Sequence, residues 1–284
     1  MAEIITAKTA GFCFGVKKAV DRAFELAAQS SGGRIYTYGP IIHNDEVVRR
    51  LEEQGVVTLH TEEELRSVEE GTVILRSHGV PKYIVDLLEE KGIEYVDVTC
   101  PFVKRIHNIV FEKSADHNIV IVGNPAHPEV EGICGWCLKK ADVIQTSEEA
   151  EEYQPPEPLP VCVVSQTTFN LNKFQEILAI FEKKRYDVNI VNTICNATAQ
   201  HQGEAREIAE AADAMIVIGD TKSSNSRKLY EICKEVCDHT FFIQTVEDLH
   251  FPDGAAYPRI GITAGASTPN YIIEEVQKYV GRIF

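Results

Sequence analysis

Three segments decide the fold, because each reads as a strand that ends in a cysteine and continues into a helical pattern. They are EIITAKTAGFC (3–13), IEYVDVTC (93–100) and VNIVNTIC (188–195). The cysteines Cys13, Cys100 and Cys195 recur about every 90 residues, and repetition at a fixed spacing is the mark of a repeated structural unit. The sequence therefore predicts three copies of one unit.

The rest of each unit keeps the same order of elements. A second strand ending in glycine follows each cysteine, as IYTYGP (35–40), IVIVGN (119–124) and MIVIGD (215–220). A polar loop and helix, a third strand with an acidic stretch, and a last strand with a final helix come next. This β–α–β–α–β–β–α order is typical of a mainly parallel sheet covered by helices, and the Val- and Ile-rich strands are typical of burial on both faces.

These repeats predict an α/β fold of three pseudo-threefold-related lobes, each a small, mainly parallel sheet flanked by helices. The predicted lobes are 14–99, 100–194 and 195–284, with strand 1–13 joining the third. Length alone would suggest about two domains. The alternative is one long doubly wound sheet whose similar segments reflect ordinary βαβ composition.

Composition limits the classes of function. The formal charge of −15 argues against non-specific binding to nucleic acid or anionic membranes, although a local pocket can still hold a small anion. The start of the chain lacks the pattern of a signal peptide, and no apolar run reaches the roughly 20 residues of a membrane span. We therefore expect a cytoplasmic protein. Because that compartment keeps thiols reduced, its eight cysteines are expected to be metal ligands or small core residues and not disulfides.

Cys13, Cys100 and Cys195 all lie at strand-to-helix turns, where open α/β units bind ligands. A helix N-terminus favours a thiolate, and Pro101 suits the first position of a helix. Three thiolates with no fourth predict a [4Fe–4S] cluster at the centre of the lobes with one open iron, because structural zinc sites and fully ligated clusters take four ligands. The sequence thus predicts an iron–sulfur centre that can bind substrate.

The other five cysteines are expected to take no part in the cluster. Cys134 and Cys137 form C-G-W-C outside a thioredoxin-like setting, and Cys233 and Cys237 are spaced for one helix face. A four-cysteine zinc site made from these two pairs is the alternative. Cys162 lies in an apolar strand and is expected in the core.

Polar turns follow the remaining strands and are rich in hydroxyls, imidazoles and amides. They are His43-Asn44, Ser77-His78-Gly79, His127-Pro128-Glu129, Gln166-Thr167-Thr168, Ser223-Ser224-Asn225-Ser226 and Ala266-Ser267-Thr268. Such donors suit a phosphate or diphosphate. Taken singly, the serine-rich turns also read as ordinary helix caps. The six histidines outside these turns are expected to be surface or hydrogen-bonded residues: His60, His107, His117, His201, His239 and His250.

Glu129 is the carboxylate of these turns that neighbours a histidine, with the Thr167 hydroxyl expected opposite it. Partial desolvation would keep such a glutamate protonated and able to deliver a proton. The alternative is an ordinary first-turn helix glutamate favoured by the helix dipole.

With these residues assembled, the chain resembles the 4-hydroxy-3-methylbut-2-enyl diphosphate reductase family of the non-mevalonate isoprenoid pathway over essentially its whole length. The matching stretches are GFCFGVKKAV, YGPIIHN, RSHGV, DVTCPFV, GNPAHPEVEG, SQTTF, TICNAT, SSNSRKL and TAGASTP.

The resemblance implies three lobes around a [4Fe–4S] cluster and a role for each matching residue. Cys13, Cys100 and Cys195 match the cluster ligands. The residues that match the diphosphate site are His43, His78, His127, Ser223, Ser224, Asn225 and Ser267. Thr167 matches a substrate-contacting hydroxyl, and Glu129, beside His127, matches the proton donor.

The activity implied is a two-electron reductive dehydroxylation that gives isopentenyl and dimethylallyl diphosphates, with reduced ferredoxin or flavodoxin as electron donor. Two other classes share part of the sequence pattern. A non-catalytic iron–sulfur sensor would need the cysteines without the ring of polar donors, and a zinc-dependent hydrolase would need zinc without sulfide.

Overall fold

The structure is a computed structural model that describes residues 2–29, 33–184 and 186–284. It contains three four-stranded sheets, and every strand pair in them is parallel. Helices flank each sheet, which confirms the predicted α/β class with three small parallel sheets. A single doubly wound sheet is wrong for this chain.

The first sheet has the strand order β3-β2-β4-β5. Its strands and the helices that accompany them along the chain are α1 (Phe14–Gln29), β2 (Ile35–Tyr38), α2 (Asp45–Glu52), β3 (Val57–Leu59), α3 (Glu62–Arg66), β4 (Thr72–Leu75), α4 (Lys82–Lys91) and β5 (Glu94–Asp97).

The second sheet repeats this order as β7-β6-β8-β9. Its elements are α5 (Pro101–Lys113), β6 (Asn118–Val122), α6 (Pro128–Cys134), β7 (Asp142–Ile144), α7 (Ser147–Glu152), β8 (Val161–Ser165), α8 (Leu171–Lys183) and β9 (Val188–Ile190).

The third sheet has the order β1-β12-β10-β11, so the first strand of the chain takes the place that β5 and β9 take in the other two. Its elements are β1 (Glu3–Thr6), α9 (Asn196–Ala211), β10 (Ala214–Ile218), α10 (Ser224–Val236), β11 (Thr240–Ile243), a 3-10 helix (Val246–Asp248), β12 (Arg259–Ala264) and α11 (Asn270–Ile283).

The chain divides into two compact units. One contains residues 1–17, 43–48 and 196–284 and holds the third sheet, and the other contains residues 18–42 and 49–195 and holds the first and second sheets. The boundaries of three separate lobes stay a prediction.

The central strands form because runs of β-branched residues are buried on both faces. All five residues of β6, β8 and β10 are buried, as parallel strands between helix layers require. The short elements after β3 and β7 begin with the same capping box, Thr61 with Glu64 and Thr146 with Glu149. The 3-10 helix after β11 begins with Asp248 accepting the Thr245 N–H at 3.0 Å. The hydrogen bonds that begin these short helices are thus repeated along with the strand order.

The strand order creates one switch point in each sheet, between the first and third strands of the repeat. Connections leave the sheet in opposite directions there, so the loops beyond the carboxyl ends separate and leave room for a ligand. The loops concerned follow β2 and β4, β6 and β8, and β10 and β12. These are the loops that carry the predicted polar turns.

In the third sheet, the two switch-point loops begin with Gly219 and Gly265, and neither position has room for a Cβ atom. A Cβ on Gly265 would clash with the Ser226 hydroxyl, which is fully buried. Replacing Gly265 with alanine is therefore expected to lower the free energy of unfolding by about 2 kcal/mol. The measurement is chemical denaturation, and the control is Gly203→Ala in α9, where an added Cβ meets nothing within 4 Å. That control should stabilise the protein by about 0.5–1 kcal/mol, and equal effects of the two would contradict the prediction.

None of the helices within the described residues has both the length and the apolar character that crossing a membrane demands.

Candidate active site

The three predicted ligand cysteines occupy the same structural position. Each comes directly before a long helix, α1, α5 or α9, and each is partly exposed. The backbone N–H of Cys13 donates to Ala266 O at 3.3 Å, that of Cys100 to Ser77 O at 3.0 Å, and that of Cys195 to Thr167 O at 3.1 Å. Each acceptor lies two residues beyond the end of β12, β4 or β8. Each of these three cysteines is therefore held at a switch-point loop by an equivalent backbone hydrogen bond.

The other cysteines have a different environment. Cys162 and Cys233 are fully buried, Cys134 is the last residue of α6, and Cys137 lies three residues beyond it. Burial raises the pKa of Cys137 and Cys233 to about 12 and that of Cys162 to about 11. Because metal ligation needs the thiolate, a zinc site built from the two cysteine pairs would have to overcome the desolvation of Cys137 and Cys233.

Glu129 and Thr167 form a buried pair that joins α6 to the loop after β8. The Thr167 N–H donates to Glu129 Oε1 at 2.6 Å, and the Thr167 hydroxyl donates to Glu129 Oε2 at 2.7 Å. Glu129 is only 2% exposed. Burial raises its pKa to about 7 against the opposing effect of the two Thr167 hydrogen bonds. A neutral carboxyl group near pH 7 can therefore donate a proton.

His127 is oriented by the backbone of the same turn. Its Nδ1 accepts the N–H of Glu129 at 3.1 Å, and the residue is buried. An imidazole nitrogen that accepts a hydrogen bond carries no proton, so the ring is the tautomer with its proton on Nε2. His127 thus presents an N–H donor rather than an acceptor at its outer nitrogen.

His78 lies against His127. Their ring centroids are 5.5 Å apart, and the rings meet edge to face at 79°. The turn that carries His78 is held by the Ser77 hydroxyl, which donates to Ile41 O at 2.9 Å, and by Gly79, whose φ of +78° favours glycine. The structure therefore brings together two of the three predicted histidines within the unit of the first and second sheets. His43 follows β2 along the chain and immediately precedes Asn44, which caps α2 by accepting the Val47 N–H at 3.1 Å.

The serine-rich turn after β10 forms a second polar cluster. Ser223 caps α10, and its hydroxyl oxygen lies 3.0 Å from the Ser226 hydroxyl and 3.2 Å from the Ser267 hydroxyl. Ser224 is the first residue of α10, and Asn225 follows it. Asn225 is 4% exposed, and within the described part of the chain neither polar atom of its side-chain amide has a hydrogen-bond partner. Burying an amide without hydrogen bonds costs free energy unless a bound ligand supplies the missing partners.

Some residues that shape the site were not singled out by sequence reasoning. The sequence predicts Ser226 only as one member of the serine-rich turn, whereas the structure buries its hydroxyl fully, 3.0 Å from the Ser223 hydroxyl. Arg76 lies inside the RSHGV stretch, but only uncharged side chains of these turns were predicted to bind the anion. Its position directly before the Ser77-His78-Gly79 turn was the signal that could have found it.

His107 differs from its expectation as a surface or hydrogen-bonded histidine. It is buried beneath Gly79, and its ring stacks on Trp136 with centroids 5.1 Å apart. Burial lowers its pKa to about 4, and its Nε2 lacks a hydrogen-bond partner among the residues the structure describes. The expectation was wrong because residues distant in the sequence surround His107. They come from the His78 turn and from α6 with the Trp136 that follows it.

The chain matches a known protein family over nearly its whole length. The family model described as LytB protein matches residues 4–281. The 4-hydroxy-3-methylbut-2-enyl diphosphate reductase of Caldanaerobacter subterraneus subsp. tengcongensis is 45% identical over 96% of this chain and 95% of its own length.

Two solved structures share the fold. The E-1-hydroxy-2-methyl-but-2-enyl-4-diphosphate reductase of Plasmodium falciparum superposes with a TM-score of 0.90 at 26% identity, covering 99% of this chain and 87% of that one. A structure of (E)-4-hydroxy-3-methyl-but-2-enyl diphosphate reductase, the terminal enzyme of the non-mevalonate pathway, superposes with a TM-score of 0.68 at 41% identity, covering 99% of this chain and 100% of that one. Because the family model and these relatives match nearly the full length of the chain, the chain belongs to the LytB protein family, to which 4-hydroxy-3-methylbut-2-enyl diphosphate reductases are similar throughout.

Proposed function

We propose that the chain is an iron–sulfur reductase that converts (E)-4-hydroxy-3-methylbut-2-enyl diphosphate to isopentenyl and dimethylallyl diphosphates by two-electron reductive dehydroxylation. The observation that carries the proposal is the buried Glu129, bonded through both carboxylate oxygens to Thr167 in a chain 45% identical to such a reductase. A non-catalytic sensor would have no use for a buried carboxyl group with a pKa near 7.

Cys13, Cys100 and Cys195 are the proposed ligands of one [4Fe–4S] cluster with one open iron. Their surroundings fit this role, because each is partly exposed at the same turn and held by the same backbone hydrogen bond. When bound, the cluster would supply the electrons and an iron that can accept the oxygen of the substrate's hydroxyl group. The chain's own residues would bind the diphosphate and handle the protons.

The diphosphate is proposed to bind to uncharged donors from the switch-point loops. They are His43, His78, His127, Ser223, Ser224, Asn225 and Ser267. The side-chain amide of Asn225 supports this assignment, because it is buried and neither of its polar atoms has a hydrogen-bond partner in the residues described. Binding the diphosphate away from the reacting carbon would orient the hydroxyl group for reaction.

Glu129, Thr167 and His127 are the proposed catalytic residues. When Glu129 is protonated, its O–H donates to the Thr167 hydroxyl, and that hydroxyl is then free to donate to the substrate's oxygen. The pair thus forms a short path for the proton that lets this oxygen leave as water. Two electrons and two protons balance the reaction, since the second proton is added to the carbon skeleton at one of two positions. His127 orients Glu129 by accepting its backbone N–H.

Reduced ferredoxin or flavodoxin is the proposed electron donor, in keeping with the family resemblance, and the cytoplasm is the proposed location. The formal charge of −15 supports the absence of nucleic acid and anionic membranes from the proposed partners.

The test is turnover of the allylic diphosphate by protein purified without oxygen and supplied with a chemical reductant. We expect both products, about four irons per chain as a [4Fe–4S] cluster requires, and a changed electron paramagnetic resonance spectrum on adding substrate. Zinc without sulfide would contradict the proposal in favour of a hydrolase. Iron and sulfide without turnover would contradict it in favour of a sensor.

A further inference from the structure

Arg76 is a buried cation beside the His78 turn. It follows the last residue of β4 directly, and its side chain is 11% exposed. Its Nε donates to Gly79 O at 3.3 Å, which closes the turn that carries His78. The guanidinium also lies over the Tyr38 ring, 5.9 Å from its centroid. It packs so closely on Gly39 that a Cβ there would clash with its Nη1. The position of the charge is therefore well defined.

The charge of Arg76 is only partly neutralised. Its counter-ion is Glu131 on α6, and the separation of 3.6 Å between Nη2 and Oε2 is longer than a hydrogen bond. The Glu131 side chain is 59% exposed, so water weakens its field. Burial lowers the pKa of Arg76, but an arginine keeps its proton under these conditions. A net positive field remains at a turn whose other polar groups, Ser77 and His78, carry no permanent charge.

We propose that Arg76 is the buried positive charge that attracts the substrate's diphosphate to the His78 turn, and that Glu131 attenuates it; this inference rests on the proposed function. It accounts for anion binding by a chain with a formal charge of −15 whose proposed ligands are neutral. The role is that of a positioning and specificity residue, because a fixed charge favours diphosphate over anions of lower charge.

The experiment measures the dissociation constant of inorganic pyrophosphate by titration calorimetry on the full chain purified without oxygen. Arg76→Met is expected to weaken binding roughly tenfold, and Glu131→Gln to tighten it roughly threefold, because one removes the charge and the other its partner. Arg76→Lys should fall between Arg76→Met and the unaltered protein. Inorganic phosphate should respond less than pyrophosphate to all three changes.

The matched controls are Arg22→Met and Glu25→Gln, which break an ion pair on α1 with the same changes in net charge, its side chains being 43% and 57% exposed. They are expected to leave pyrophosphate binding unchanged. Weakening by both Arg76→Met and Glu131→Gln would show a purely structural pair and overturn the inference. No tightening by Glu131→Gln would also overturn it, and this variant changes only an exposed side chain. Failure of the unaltered protein to bind pyrophosphate would instead overturn the proposed function together with the inference.

Discussion

Replacing Glu129 with glutamine is expected to lower turnover of the allylic diphosphate roughly a hundredfold to ten-thousandfold, which is the range that general acid catalysis supplies. Glutamine has nearly the same shape, so its oxygen can still accept the Thr167 N–H that now bonds Glu129 Oε1 at 2.6 Å. Glutamine has no acidic proton that it could transfer to the substrate. Single-turnover kinetics should therefore show slow chemistry, with the iron content and the dissociation constant of pyrophosphate unchanged.

The control for this variant is Glu112→Gln on the exposed face of α5, which removes the same charge without touching the site. It should react at the normal rate. Turnover of Glu129→Gln within a factor of a few of the unaltered protein would remove Glu129 from the catalytic mechanism.

The pKa of about 7 for Glu129 also predicts how the reaction depends on pH. If the protonated form is the one that reacts, kcat/KM should fall as the pH rises through about 7. The free energy of unfolding should also fall as the pH rises through this range. The folded-state pKa lies above the ordinary value of 4.5, so the stabilising contribution is fully present below 4.5 and is lost as the pH rises through about 7. Glu129→Gln should thus gain thermal stability relative to the unaltered protein at pH 8 but not at pH 4, and the opposite pattern would contradict the assignment.

Replacing any one of Cys13, Cys100 and Cys195 with serine is expected to remove most of the iron and abolish turnover. A serine hydroxyl is a much poorer ligand than a thiolate at neutral pH, and a cluster held by two thiolates would be lost during purification. The three variants should behave alike, because the three cysteines share one position and one backbone hydrogen bond. The measurement is iron and sulfide content after anaerobic purification.

Cys134→Ser is the matched control, since Cys134 is also partly exposed but lies at the C-terminal end of α6. It should retain its iron. Full iron content in any of the three ligand variants would contradict the proposed cluster, and equal loss from the control would show that the assay reports instability rather than ligation.

The sequence by itself determined the repeat, the three parallel sheets and the chain positions of the candidate residues. These features are local, because a run of β-branched residues, a glycine or cysteine at the strand end and a capping box act within a few residues of one another. The strand ends in IVIVGN and MIVIGD could therefore be located without the fold. Cys13, Cys100, Cys195 and the polar turns followed from the same reasoning.

Only the tertiary structure decided which of these residues have unusual properties. Glu129 has a raised pKa because the fold buries it, and its hydrogen-bond partner Thr167 lies 38 residues away in the sequence. Arg76 is a buried cation because it packs on Gly39 and closes the turn at Gly79. Asn225, the second residue of α10, is a buried amide without a partner in the described residues. Desolvation and hydrogen bonding depend on neighbours that are distant in the sequence, and no local pattern records which neighbours those will be.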